Sequence, residues 1–186
     1  MFKKAFRRSL FWLLVLLLLI FAIKQFPDRA LEAASAYRSG DVELAAAFWQ
    51  KMAKLGNSEA QYNLGVLYSL GEGVEKSAAL AHKWFLTAAE TGNPAAQYEV
   101  GKTYIEGAGV QRNPKVAFLW FEESASQGYT PAQVELGLRY LNGNGVAADP
   151  DKAAFWLNRA AGVEREPQVL IGGLPGAVGA IPCTDP

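Results

Sequence analysis

The hydrophobic pattern divides the chain into three stretches of different character. Residues 10–23 form an unbroken apolar run, Leu10 to Ile23, between Arg8 and Lys24. Coiled as a helix, fourteen residues span about 21 Å at ~1.5 Å per residue, short of the roughly 30 Å hydrocarbon slab. That length suits the apolar core of a secretory signal peptide. No small-x-small cleavage triplet follows closely, however; the nearest, Ala34-Ser35-Ala36, falls inside the next helical pattern. An uncleaved transmembrane signal anchor over 10–23 is therefore expected, with a basic cytoplasmic N-terminus over 1–9 and a linker over 24–30. The flanking Arg8 and Lys24 can snorkel outward, and the excess of positive charge ahead of the run directs the body across the membrane. The expected location is the inner membrane in a single pass, with the C-terminal domain periplasmic; secretion after cleavage is the alternative.

From residue 31 the pattern becomes periodic at two scales. Ala60, Leu64 and Tyr68 recur at four-residue steps, one face of a helix. The whole arrangement then repeats every 36 residues: Gly56, Gly92 and Gly128; Gly65, Gly101 and Gly137; Gly71, Gly107 and Gly143; Gly73, Gly109 and Gly145. Trp84, Trp120 and Trp156 keep the same step, as do Tyr68, Tyr104 and Tyr140, and Gln61, Gln97 and Gln133. Such self-similarity is the mark of a stack of small structural units.

Each unit reads as two antiparallel helices, A and B. Ser58 and Thr130, each with Gln three residues on, suggest a capping box at the start of helix A, and Asn93-Pro94 does that work in the middle unit. A glycine at 65, 101 and 137 would cost about 1 kcal/mol in mid-helix. Its recurrence predicts a compensating close approach, a ring of the partner helix laid over bare backbone. Helix A should end at the first glycine of Gly-x-Gly-Val. Ser77, Asn113 and Asp149 should cap helix B, with Pro114 and Pro150 at the first helical position. The resulting division is a degenerate helix pair over 31–55, three repeats over 56–91, 92–127 and 128–162, and a Gly/Pro-rich tail over 163–186. That tail contains Val169-Leu170-Ile171 and Cys183; it is either flexible or docked on the last repeat.

Charge narrows the function. Residues 1–27 carry five basic groups and no acid, leaving 13 basic and 18 acidic groups in the remainder. A mildly acidic body without a Lys/Arg cluster is a poor match for a phosphate backbone, so nucleic acid is not expected as a partner. One cysteine excludes an internal disulfide, and His82 with Cys183 cannot make a Cys/His zinc site. His82, without a nucleophile beside it, reads as an incidental surface histidine. Glu72 with Glu75 and Glu122 with Glu123 read as solvated, and Asp149 with Asp151 as helix-start residues. The Gly-x-Gly-Val loops lack the strand–loop–helix setting and the Lys-Ser/Thr of a phosphate loop. No catalytic residue, cofactor or metal is expected.

The run Ala60-Gln-Tyr-Asn-Leu-Gly65-Val-Leu-Tyr68, continuing through Gly71-Glu-Gly-Val74 to Trp84 and Ala88-Ala89, resembles the Sel1-like repeat, a relative of the tetratricopeptide repeat. The resemblance extends over about 31–162 and implies an all-α fold, an α/α solenoid of helix pairs behind an N-terminal transmembrane helix. It departs at Val134, which replaces the tyrosine of 62 and 98, and at Ser124 in the alanine column. Cysteine-rich relatives are associated with β-lactam binding or hydrolysis, but the paired cysteines of that group are missing. Solenoids of this kind bind through the helix A face, where side chains differ between units over a constant core. The candidate partner-binding face is Tyr62, Asn63, Tyr98, Glu99, Lys102, Glu135 and Arg139. The expected function is a non-catalytic, membrane-tethered protein- or peptide-binding scaffold of the bacterial cell envelope, in contact with the lipid bilayer through 10–23. A cell-wall-active or β-lactam-hydrolysing enzyme is one alternative; a cytoplasmic adaptor whose apolar N-terminus packs on a partner is the other.

Overall fold

The computed structural model describes residues 31–163, and every regular element in that span is an α-helix. The helices are α1 (31–38), α2 (Val42–Lys54), α3 (Ser58–Leu70), α4 (Ala78–Glu90), α5 (Pro94–Glu106), α6 (Pro114–Ser126), α7 (Thr130–Asn142) and α8 (Pro150–Ala160). From α2 onward each packs chiefly on the next in chain order, closest within the hairpins α3–α4, α5–α6 and α7–α8. The result is an all-helical solenoid of helix pairs. The membrane segment 10–23 and the tail from 164 onward lie outside the described residues. Among the described residues no helix is long and apolar enough to cross a membrane.

The glycine columns do what their conformations demand. Gly71, Gly107 and Gly143 close the A helices at φ 81°, 72° and 70°, the left-handed region that side chains resist. Gly73, Gly109 and Gly145, two residues on, lie against the start of the preceding B helix. A β-carbon on Gly73 would sit 2.4 Å from the Val42 carbonyl oxygen, so no side chain fits there. The loops thus stitch each repeat to the one before it.

Helix starts agree with expectation for the B helices and for α5, where Asn93 caps ahead of Pro94, and differ for α3 and α7. Ser77, Asn113 and Asp149 accept from the backbone N–H of Leu80, Val116 and Lys152. For α3, however, the cap is Asn57, whose side chain accepts from Ala60 N at 2.7 Å, and Ser58 is already helical. For α7 the cap position holds Tyr129, which makes no side-chain cap bond, and Thr130 is the first helical residue. The recurring glutamines consequently do other work. Gln61, Gln97 and Gln133 donate through Nε2 to the carbonyls of Ala53, Ala89 and Ala125 at 3.1, 3.3 and 3.2 Å. Each ties an A helix to the end of the preceding B helix.

The core lies along the helix interfaces in three successive clusters. Leu64 and Leu67, Val100, and Leu136 are buried from the A side; Phe85, Ala88, Phe121, Ala125 and Ala153 from the B side. Trp84, Trp120 and Trp156 are half-buried and pack on the first, second and third cluster. Ser124, the departure in the alanine column, is fully buried, and its hydroxyl donates to the Pro94 carbonyl at 2.6 Å. The polar group therefore meets the requirement that burial sets. In the degenerate first pair, Trp49 is buried and its ring meets Tyr37 at 5.5 Å.

Candidate binding face

The A helices carry the positions that change between repeats, and their outer residues form one strip. Tyr62 and Tyr98 occupy the same place in α3 and α5, half-buried, with their rings 5.8 Å from Phe85 and 5.6 Å from Phe121. Tyr98 also meets Tyr129 at 5.6 Å, so three tyrosines run along the strip. Tyr129 escaped the sequence reading because it stands in the cap column of Asn57 and Asn93. The available signal was a cap position occupied by a residue that cannot cap.

Charge is laid over these rings in pairs. Lys102 Nζ bonds Glu99 Oε2 at 2.8 Å and lies 5.6 Å from the centre of the Tyr98 ring. Burial pushes the Lys102 ammonium pKa down, but the hydrogen bond and charge of Glu99 outweigh it and the net direction is upward. Burial raises the pKa of both Tyr62 and Tyr98; Glu99 raises both further, Glu135 raises Tyr98, and Lys102 opposes these effects. Those mutual influences bring Tyr62, Tyr98, Glu99, Lys102, Tyr129 and Glu135 into one electrostatic neighbourhood. Asn63, half-buried, stands in the column of Glu99 and Glu135.

Arg139 is placed differently. It is 8% exposed, in the column of Leu67 and Thr103, which are also buried. Its Nη2 donates to Glu135 Oε1 at 2.6 Å and its guanidinium covers the Phe121 ring at 4.8 Å. It sits beneath the strip and holds Glu135 from below.

A Sel1 repeat model matches residues 35–57, 58–93, 94–129 and 130–162. The chain belongs to the Sel1 repeat family. Among solved structures it is similar to c5321, a protective antigen present in uropathogenic Escherichia coli strains displaying an SLR fold. That match has 33% identity and a TM-score of 0.69, and covers 73% of this chain and 30% of that one. The Sel1 repeat protein from Oxalobacter formigenes gives 33% identity and a TM-score of 0.69, over 73% of this chain and 54% of that one. The match thus spans about a third to a half of the length of these two proteins. Helicobacter pylori cysteine rich protein B shares the fold, at 17% identity and a TM-score of 0.53, over 68% of this chain and 90% of that one. No curated relative matches the sequence.

Elsewhere in this Sel1 repeat chain, His82, Glu72 and Asp149 have structural partners, while Glu75, Glu122 and Glu123 are exposed. His82 is buried rather than on the surface, because its column also holds Phe118 and faces the next repeat. Its Nδ1 is 2.8 Å from Thr103 Oγ1, and that hydroxyl donates to the Val100 carbonyl at 2.7 Å. A hydroxyl proton spent on that carbonyl leaves Nδ1 to donate, the tautomer that satisfies both groups. Burial pushes the imidazole pKa down, which keeps the ring neutral. Glu72 accepts from the Tyr37 hydroxyl at 2.8 Å, and Asp149 caps α8 and pairs with Lys152 at 3.4 Å. Among the described residues no three His, Cys, Asp or Glu side chains gather as a metal site would require.

Proposed function

We propose that this Sel1 repeat protein is a non-catalytic scaffold of the bacterial cell envelope, tethered to the inner membrane through 10–23, that holds a protein or peptide along its A-helix face. The fold supports a binding role: the repeats supply a constant core of glycine, alanine and buried rings while the outer residues of the A helices differ from unit to unit. The observation that carries the reading is the tyrosine strip Tyr62–Tyr98–Tyr129 with the Glu99–Lys102 pair laid across it. Half-buried aromatic rings give large contact area with little loss of rotamer freedom, and adjacent charges fix register. The tether rests on the apolar run at 10–23 and its basic flank. Neither enzyme alternative gains support from His82, whose ring is engaged with Thr103 inside the stack.

Crosslinking tests the face. A photoreactive amino acid at Asn63 or Glu99 in the membrane-bound protein should trap a discrete partner, and Lys102→Glu should abolish that product. Labelling unchanged by Lys102→Glu would remove the A-helix face from the proposal. Extraction of the protein from membranes by alkaline carbonate, or a periplasm-dependent phosphatase fused after residue 186 that stays inactive, would remove the tether.

A further inference from the structure

The loop of the third repeat abuts the start of α6, where Gly145 lies against the Pro114 carbonyl. Between that loop and the loop of the second repeat is a cavity of about 220 Å³, walled by Ile105 and Pro114, by the turn 143–145, and by Arg112 and Arg139. It is smaller than the ~300–1,000 Å³ of a drug-sized pocket and ample for one small polar group.

Its electrostatics are unusual for this stack. Arg139 is more than nine-tenths buried, and its donors are unequally met. Nη2 has Glu135 at 2.6 Å, Nη1 has only a long 3.4 Å approach to the Asn144 carbonyl, and Nε has no partner. Arg112 folds back over its loop, its Nε donating to the Ile105 carbonyl at 2.9 Å. No carboxylate among the described residues pairs with it. Two guanidinium groups thus wall the cavity against the single carboxylate of Glu135, leaving one positive charge unbalanced. A buried donor without an acceptor costs about 1–3 kcal/mol, and more when charged. Nε itself is shut off from the cavity, so an acceptor supplied from outside engages Nη1, whose only other contact is the long one to Asn144. The arrangement belongs to this one loop edge, because 36 residues earlier Lys76 and Thr103 stand where Arg112 and Arg139 do.

We propose that this cavity is a carboxylate site, taking the carboxylate of a peptide between the guanidinium groups of Arg112 and Arg139. Planar donor pairs on guanidinium match the two oxygens of a carboxylate. The site lies beneath the tyrosine strip and shares the Arg139–Glu135 pair with it, but its test needs no partner bound to the strip.

The test follows the arginine side-chain Nε–H signals by NMR in the full-length protein, in detergent, as sodium acetate replaces sodium chloride at constant ionic strength. The Arg139 signal, assigned through Arg139→Lys, should shift saturably with acetate and not with chloride. Arg112→Ala removes an exposed side chain and should leave the circular dichroism unchanged while weakening acetate binding roughly tenfold, the effect of one lost charge-assisted bond. The free acid and the C-terminal amide of Gly-Gly-Ala, with Gly-Glu-Gly amide, separate a chain terminus from an acidic side chain as the source. An unsaturable response, or one equal in wild type and Arg112→Ala, overturns the site. Saturation by inorganic phosphate without acetate overturns its assignment to carboxylates.

Discussion

The Phe85 ring lies against the bare backbone of Gly65, where a β-carbon would come within 2.6 Å of two ring carbons. The same relation holds for Gly101 with Phe121, and for Gly137 with Leu157 at 2.7 Å. A mid-helix glycine is thus tolerated because its absent side chain lets the partner helix close in. Gly65→Ala gains about 1 kcal/mol of helix propensity and loses about 1–3 kcal/mol to overpacking. The expected net is destabilisation of up to about 2 kcal/mol by urea unfolding. In a Phe85→Ala background, itself lowered by about 3–5 kcal/mol, the clash is gone and the same glycine change should become stabilising. A glycine effect of one sign in both backgrounds would refute the close-approach explanation.

Tyr129 sits at the head of α7 in the place where Asn57 and Asn93 cap their helices. Tyr129→Asn should restore a cap worth about 1 kcal/mol and remove a ring pair worth ~0.5–1.5 kcal/mol. The two nearly cancel, and the ring's remaining apolar burial against the third cluster adds a modest loss, so the thermal midpoint should fall by only a few degrees. Crosslinking of a partner from Glu99 should nonetheless weaken several-fold, because Tyr98 loses its neighbour on the strip. A large drop in the midpoint would make Tyr129 a folding residue instead.

The ends of the A helices and the glycine turns were legible because left-handed closure and close approach each demand glycine, a requirement with one chemical answer. The A-helix caps were less legible: Asn57 and Ser58 are adjacent and both able to cap, and only the backbone angles choose between them. Gln61 looked like half of a capping box because its spacing from Ser58 fits one, while its amide in fact crosses to the previous helix. His82 and Arg139 were misread as surface groups, since polarity in isolation argues for solvent. Their columns argue otherwise: Phe118 corresponds to His82, and Leu67 and Thr103 correspond to Arg139. Reading down a repeat column for burial carries more weight than reading one residue's polarity.

The buried imidazole makes stability depend on pH in a calculable direction. His82 has a folded-state pKa below its ordinary 6.5, so the native protein binds the proton less readily than the unfolded chain. Its contribution is complete above pH 6.5 and is lost as pH falls from there through the folded-state value. His82→Phe, the side chain found at 118, should remove that loss. Urea midpoints measured from pH 8 to 5.5 should fall for wild type and stay flatter for the variant. Equal slopes would mean the ring is already solvated in the native protein.

Arg139 separates what holds the stack together from what the protein retains at a cost. Replacing both partners of a buried ion pair by apolar side chains is often neutral or stabilising, by ~1–4 kcal/mol, whereas removing one is costly only where the other charge stays buried. Leucine already occupies this column at 67, and Glu135, 30% exposed, can turn to water when its partner is gone. Arg139→Leu should therefore unfold within about 1 kcal/mol of wild type, or above it. Arg139→Glu, which buries a second carboxylate beside Glu135, should lose about 3–5 kcal/mol. If Arg139→Leu is as stable as wild type yet loses the acetate response, the guanidinium is there to bind. A loss of several kcal/mol in Arg139→Leu would instead make the arginine a packing element of the third repeat, with its stem and its stacking on Phe121 as the cause.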